Sequence, residues 1–445
     1  MSSKSTDPTE VSSVGATSSS ALLLGRVRAL AQLAAVRNFG WLMLDKALSV
    51  VFGLAVFGLI ARTFGSTASG HFAYALALLQ SALGLSLVCS AAVLLPRLYR
   101  MRNAIAATLA NVFVVRFAGS CLAAAGAAVF ALIVIDDPLR LKITLLILLS
   151  VPLIEPFYTA VVYWQSRNDN RRPTLCRAAG LMTRASVVIV AIVLGAPLWV
   201  VAFAWLLEAS VAALLLYLSV RPLATLRVFK QRISTQRSLA YLRFGARFLP
   251  AMWLASLYVR IDRLLLGALL PAADFGIYAS AMQLIDVWLQ VAYLSGFAAG
   301  PAFLYRALSE RNSRMLWQLI ALMGGFGLMG VVGAALFGEL AMGLVFGPHF
   351  RAGAPYLVAG CASAVLIFID QVVQMRVTAI NRPLTLTIKW AAACLGAIVV
   401  QVATYRVLGA FAGPTGLAAG VVCGWIGVWA SFRVKPAQPF KQVAA

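Results

Sequence analysis

Long apolar runs broken by short polar stretches dominate the chain, and within each run the apolar residues are nearly continuous rather than striped. A half-buried strand would alternate every second residue, and a surface helix would carry one apolar face. Uniform runs of this length predict helices apolar all round. A helix rises about 1.5 Å per residue, so crossing a hydrocarbon layer of about 30 Å takes about twenty such residues. Twelve stretches qualify, at about 41–61, 72–95, 106–135, 143–164, 176–195, 198–220, 244–269, 275–303, 316–338, 354–375, 384–408 and 415–432. The short apolar piece Glu339–Phe346, before Gly347-Pro348, leaves the count open by one. The prediction is an all-α integral membrane protein of about 12 transmembrane helices.

The polar stretches organise these spans. Residues 1–20, rich in Ser and Thr, read as a disordered tail, and Ala21–Asn38, with Arg26, Arg28 and Arg37, as a basic helix on the membrane surface. Between the sixth and seventh spans, residues 221–243 carry six basic residues and no acid, and are expected to link a lobe at 39–220 to a second at 244–433. Residues 434–445 form a terminal tail. With the N-terminus inside, 27 of the 37 Lys and Arg lie in cytoplasmic segments or the span ends adjoining them, five in external loops or the span ends adjoining them, and five (Lys46, Arg116, Arg184, Arg260 and Arg263) further inside spans. That asymmetry places both termini in the cytoplasm.

Composition narrows the function. The chain is 62% hydrophobic and 11% charged, so lipid must cover much of its surface. A net charge of +23 would suggest nucleic acid in a soluble protein, but here the bases sit between spans and no nucleic acid partner is expected. Six scattered cysteines and two histidines form no ligand pattern, and no cofactor or metal is predicted. Gly325-x-Gly327-x-x-Gly330 satisfies a dinucleotide pattern, yet it lies inside an apolar span with no strand before it, so close helix packing explains it better. Gly416, Gly420 and Gly424 form a similar small-residue ridge. Asp136-Asp137 is the one external acidic pair, and before Pro138 it reads as a helix-end turn rather than a general acid–base pair. No catalytic residue is predicted.

A shift of 206 residues lays the second span on the eighth without a gap. Gly70 falls on Gly276, Phe72 on Tyr278, Ala73 on Ala279, and Leu98-Tyr99-Arg100 on Leu304-Tyr305-Arg306. Six spans per half is an even number, so both halves begin on the same side. They are then parallel six-helix lobes related by a pseudo-two-fold axis along the membrane normal, an arrangement of transporters with the substrate path between the halves.

Ionisable residues inside spans are costly unless paired or facing water, and so mark candidate sites. The densest group is Arg260-Ile261-Asp262-Arg263, whose two arginines, three apart, share one helix face. Their planar forks match phosphate oxygens. Two readings stand side by side: a phosphate grip lining a cavity, or an ion-pair network between helices with arginines reaching toward the interface. Lys46, Arg116 and Arg184 are further candidate substrate-binding bases. The acids Asp45, Glu155, Glu208, Asp262, Asp286 and Asp370 nearly balance the bases, and Asp262, Asp286 and Asp370 are candidates for coupling an ion to transport.

The stretch Asn38-Phe-Gly-Trp-Leu-Met-Leu-Asp-Lys-Ala-Leu-Ser, followed by Ala61-Arg-Thr-Phe-Gly, resembles the opening of Wzx-type polysaccharide repeat-unit flippases. Tyr258-x-Arg260-Ile-Asp262-Arg-x-Leu-Leu-Leu-Gly267 and Phe275-Gly-Ile-Tyr278-Ala-x-Ala281 are similar to that family's seventh and eighth spans, and Gly413-Pro-Thr-Gly416-Leu-Ala also fits. The resemblance covers roughly residues 38–432. It implies the multidrug/oligosaccharidyl-lipid/polysaccharide exporter fold, with two six-helix lobes forming a V. It also implies a polyprenyl-pyrophosphate-linked oligosaccharide as cargo, moved from inner to outer leaflet with ion-gradient coupling. Membrane lipids surround such a protein, and polysaccharide polymerase and chain-length proteins are the partners its role implies. The alternative within the superfamily is a cation-coupled multidrug extruder. Peptidoglycan-precursor flippases usually have fourteen spans, and a glycan polymerase or ligase would need a sizeable external loop.

Overall fold

The computed structural model describes residues 13–89, 94–95, 98, 105–220, 233–299, 313–379 and 383–433, with backbone alone at 13–35, 295–299, 313, 379 and 432–433. Every extended element among them is a helix, as backbone groups in lipid must be paired within their own segment. In chain order these are α1 (Ser13–Ser86), α2 (Ile105–Val134), α3 (Pro138–Leu148), α4 (Val151–Ile154), α5 (Tyr158–Ser166), α6 (Arg171–Val193) and α7 (Leu198–Val220). The second half has α8 (Thr235–Ala246), α9 (Leu249–Tyr258), α10 (Ile261–Leu269), α11 (Ala272–Ala299), α12 (Ser313–Phe346), α13 (Ala354–Ala379), α14 (Pro383–Leu408) and α15 (Ala412–Arg433).

Eight apolar segments among the described residues are long enough to cross a membrane, and two of them, Val36–Ser86 and Pro383–Ser431, are each long enough to do so twice. The first breaks at Gly65, whose φ of +81° favours glycine, and the second at Gly409–Phe411. Adding α9–α10 and α11 accounts for the twelve spans read from the sequence. α12 runs unbroken to Phe346, so the apolar piece at Glu339–Phe346 extends the ninth span and adds none. The connections at one end of the bundle, at Gly65, Asp137, Gly195, Pro271, Gly347 and Gly409, are short; this is called the turn end below.

Three expectations shift. α1 begins at Ser13, inside the stretch read as a disordered tail, while residues 1–12 and 434–445 lie outside the described residues. The 221–243 linker lies outside them up to residue 232, and beyond it α8 is helical through Ala246. The Asn111 side-chain oxygen accepts from Ser234 N and Ser238 Oγ, both at 2.9 Å, tying α8 to α2. The fourth and seventh spans, read as continuous, are broken into α3–α4–α5 and α9–α10. Pro152 and Pro156 explain the two breaks in the fourth span, since neither has the N–H that would continue the ladder.

Large side chains such as Leu122, Ile133, Leu194, Leu336 and Val407 are exposed on the outside of the bundle, where lipid replaces protein. Between helices, small residues permit close approach. A Cβ on Gly420 would press the Tyr258 ring and the Ala393 carbonyl, and one on Gly424 would meet Lys389, so the α15 glycine ridge seats α14. Gly327 lies against Val365, and Gly330 against the Trp288 indole, which gives the glycine-rich span a packing role. Asp137 caps α3, accepting from Leu139 N at 2.8 Å and Arg140 N at 3.2 Å, as a helix-end turn should.

Candidate functional site

The break in the seventh span creates the site's most charged element. α9 ends at Tyr258 and α10 starts at Ile261, leaving Arg260 at φ −118° and ψ −3°, off the helical values. Arg260 and Arg263 therefore do not stack as neighbours on one regular helix. Both still reach one group, the Asp286 carboxylate of α11. Arg263 grips it with two bonds, Nη1 to Oδ2 at 2.7 Å and Nη2 to Oδ1 at 2.9 Å, while Arg260 Nη1 donates to the same Oδ2. A further Arg263 bond, Nη2 to the Met282 carbonyl at 3.0 Å, fixes the fork.

These residues form one wall of a cavity of about 370 Å³. Its other walls come from the first half of the chain: Lys46 and Ser49 of α1, Gln80 beyond the Gly65 break, Tyr158 of α5, Arg177 and Arg184 of α6, and Trp205 and Glu208 of α7. Arg184 Nη1 donates to Glu208 Oε2 at 2.7 Å, and its guanidinium lies 5.1 Å from the Trp205 ring centre. Arg177 Nη1 donates to Asp45 Oδ2 at 2.6 Å, with its guanidinium 5.4 Å from the Tyr158 ring. Lys46 projects into the cavity beside that pair.

The lining thus holds five cationic side chains (Lys46, Arg177, Arg184, Arg260 and Arg263) against two carboxylates, Glu208 and Asp286. Walls of low dielectric focus such an excess and draw an anion in. Phe57, Ala73 and Ala279 at the turn-end floor are buried, whereas Lys46, Ser49 and Gln80 are exposed. The cavity opens toward the end of the bundle opposite the turns.

Of the sequence-predicted residues, Lys46, Arg184, Arg260, Arg263 and Asp286 are brought together around this space. Arg116 is not. It is fully buried, with Nε and Nη2 on the Cys89 carbonyl and Nη1 on the Glu155 carbonyl at 3.1 Å and carboxylate at 3.4 Å. It ties α2 to carbonyls beyond the end of α1 and at the α4–α5 break. Asp262 lies outside the lining too, accepting from the Tyr278 hydroxyl at 2.7 Å. Asp370 is buried between α13, α14 and α15, where Lys389 Nζ donates to one oxygen at 2.6 Å and Trp425 Nε1 to the other at 2.8 Å.

The sequence reading missed Arg177 as a cavity residue, assigning it to the membrane edge. Its spacing carried the signal: seven residues, two turns, separate it from Arg184 and put both on one face. Gln80, Tyr158 and Trp205 offered none, since neutral residues within apolar runs stand out only once the helices are packed.

Residues 139–294 match the sequence model of a family described as "Polysaccharide biosynthesis protein". That stretch contains every charged residue of the cavity lining except Lys46. A comparison with curated proteins returns no match. Among solved structures, an inward-facing multidrug resistance MATE family transporter of the MOP superfamily is similar over 90% of this chain and 98% of its own, with TM-score 0.67 and 17% identity. An outward-facing structure of such a transporter covers 90% and 95%, with TM-score 0.61 and 16% identity. The lipid II flippase MurJ, in an inward closed conformation, covers 88% and 87%, with TM-score 0.66 and 13% identity. The chain has the fold of the multidrug/oligosaccharidyl-lipid/polysaccharide transporter superfamily, and its middle third carries the sequence pattern of the polysaccharide biosynthesis family.

Proposed function

We propose that this chain is a flippase that carries polyprenyl-pyrophosphate-linked oligosaccharide repeat units from the inner to the outer leaflet of a bacterial inner membrane. The observation that carries the reading is the cavity lining, five cations to two carboxylates, with two guanidiniums converging on one point. A pyrophosphate offers several oxygens on neighbouring phosphorus atoms, and arginine forks engage such groups through paired bonds. The cavity's size falls within the range of small-ligand sites. It suits the diphosphate and the adjoining sugar, with the rest of the glycan extending toward the open end and the prenyl chain remaining in lipid.

The excess of Lys and Arg on the terminus side makes the open end cytoplasmic. Cargo then enters from the inner leaflet, and rocking of the two halves closes that end and opens the turn end. For coupling to an ion gradient, Asp286 and Asp370 are the proposed carboxylates; Asp286 faces the cargo and Asp370 sits apart with Lys389. The extruder reading is favoured by fold alone, since a lining with this excess of positive charge repels the cations such proteins expel.

The test is complementation of a strain lacking its own repeat-unit flippase, reading surface polysaccharide and cytoplasmic lipid-linked sugar. The wild-type chain restores export, and the Arg260→Ala/Arg263→Ala variant, present in the membrane at equal level, loses at least about a hundredfold, as expected for truncating buried charge partners. Unchanged export in that variant, or cationic-dye resistance in place of export, sinks the reading.

A further inference from the structure

The Asp286 carboxylate sits where the proposed function needs the cargo's phosphate. It spans the Arg263 fork with both oxygens and shares one of them with Arg260. A phosphate group would use the same two-oxygen geometry on the same fork. Asp286 is the one carboxylate of the lining that engages two guanidiniums; Glu208 engages Arg184 alone. Among the described residues, Arg260 has no other hydrogen-bond acceptor, and its remaining donors belong to a side chain that lines the cavity.

Resting on the flippase reading, we infer that Asp286 is an internal counter-anion that competes with the cargo's pyrophosphate for Arg260 and Arg263. Two like charges cannot hold one fork, so cargo binding displaces Asp286. At the outer face the carboxylate returns to the guanidiniums and helps expel the phosphate. The empty carrier then resets with its cavity charge partly neutralised, instead of carrying two unpaired guanidiniums through a closed, dry state. Asp286 thereby lowers affinity and raises turnover, because a binding-competent state that is only partly populated weakens apparent binding in proportion.

The opposing readings give opposite signs. A residue that merely scaffolds the site weakens binding when altered, whereas a built-in competitor strengthens it. The decisive measurement is binding of farnesyl pyrophosphate to the purified full-length protein in nanodiscs, by equilibrium titration and by dissociation rate, alongside export in cells. Asp286→Asn is expected to bind at least about tenfold tighter, the gain from removing a competitor that fills the grip in about nine molecules of ten. It should release the probe correspondingly slowly and export less, while Asp286→Glu should return all three toward wild type.

Asp286→Asn leaves two guanidiniums unpaired, which can weaken the fold, so Arg260→Gln and the Arg260→Gln/Asp286→Asn pair provide a second arm with one fewer buried charge. The double variant should bind the probe more tightly than Arg260→Gln alone. If wild type binds the probe but neither removal of Asp286 tightens it, the competitor idea is overturned and the flippase reading survives. If wild type does not bind the probe at all, both fall together.

Discussion

Two regions would carry the proposed transport cycle, and the repeat relates them differently. At the turn end the halves meet through a contact that is its own mate under the 206-residue shift. A Cβ on Gly70 would meet the Ala272 carbonyl, and a Cβ on Gly276 would meet the carbonyl of Ser66, the position that falls on Ala272. On either side an arginine holds a carbonyl of the other half. Arg62 Nε donates to Val345 O at 3.1 Å and its Nη2 to Leu344 O, while Arg140 Nη2 donates to Gly267 O at 2.7 Å. Arg62 falls on Ala268, beside Gly267, and Arg140 on Phe346, beside Val345, so these are two copies of one contact to within a residue. The cavity keeps no such relation. Arg260 and Arg263 fall on Leu54 and Phe57, and Asp286 on Gln80. The seal depends on how closely two backbones approach, which constrains both halves alike. Recognition of the proposed cargo needs charge on particular walls, and there the halves have diverged.

The largest expected effect lies in a pair belonging to neither region. Lys389 and Asp370 are each about 1% exposed and bonded to each other. Lys389→Met leaves a buried carboxylate without its cation, and breaking such a pair costs about 3–5 kcal/mol. Thermal unfolding in detergent should show it as a large drop in Tm. Asp370→Asn/Lys389→Met removes both charges and should recover most of that loss, since neutral replacement of a buried pair is often tolerated. With stability restored, export by the double variant reports on coupling: under the proposed role of Asp370, it no longer responds to collapse of the proton or sodium gradient. A double variant that remains gradient-driven removes Asp370 from the coupling path.

These regions also differ in how far the amino-acid sequence reveals them. Hydropathy exposes the twelve spans because lipid demands it of each segment separately. The Gly70–Gly276 alignment points to the seal because close backbone approach tolerates little else. The cavity is harder, because a span is placed by composition but its rotation is set by neighbours. Arg116 and Arg184 look alike in the sequence. Arg116 turns toward the Cys89 and Glu155 carbonyls, and Arg184 turns toward Glu208 and the cavity. Prolines mark the breaks at Pro152, Pro156 and Pro250. At Val259–Arg260 no proline or glycine marks the interruption, and it coincides with the arginine whose reach to Asp286 it permits.

Overpacking the seal should have the next largest effect. A leucine at Gly276 would drive its Cβ into the Ser66 carbonyl and toward Gly70 N, at 3.0 Å. Backbone cannot step aside as a flexible side chain does, so a penalty of about 1–3 kcal/mol falls on the closed arrangement and none on the open one. In a cysteine-free background carrying Ser66→Cys, a membrane-impermeant maleimide added to intact cells should label Gly276→Leu fully while barely labelling the parent. Gly70→Leu should behave the same way, because the contact is reciprocal. Under the proposed function, export should fail in both, the protein being held open at the turn end. Labelling confined to inverted vesicles would reverse the assigned orientation.

The smallest effect is the most discriminating for the symmetry. Arg140 joins the seal through one charged hydrogen bond to Gly267 O and by lying 6.0 Å from the Phe275 ring centre, both in the other half. Arg140→Gln keeps a donor but loses the charge and the stacking, worth about 1–2 kcal/mol together. That favours the open arrangement roughly 5- to 30-fold, and maleimide labelling of Ser66→Cys should accelerate in the same proportion. Arg62→Gln removes the mate of this contact and should accelerate labelling by a similar factor. If one arginine matters tenfold more than the other, the flanking contacts have specialised as the cavity did, and the symmetry of the seal is confined to its two glycines.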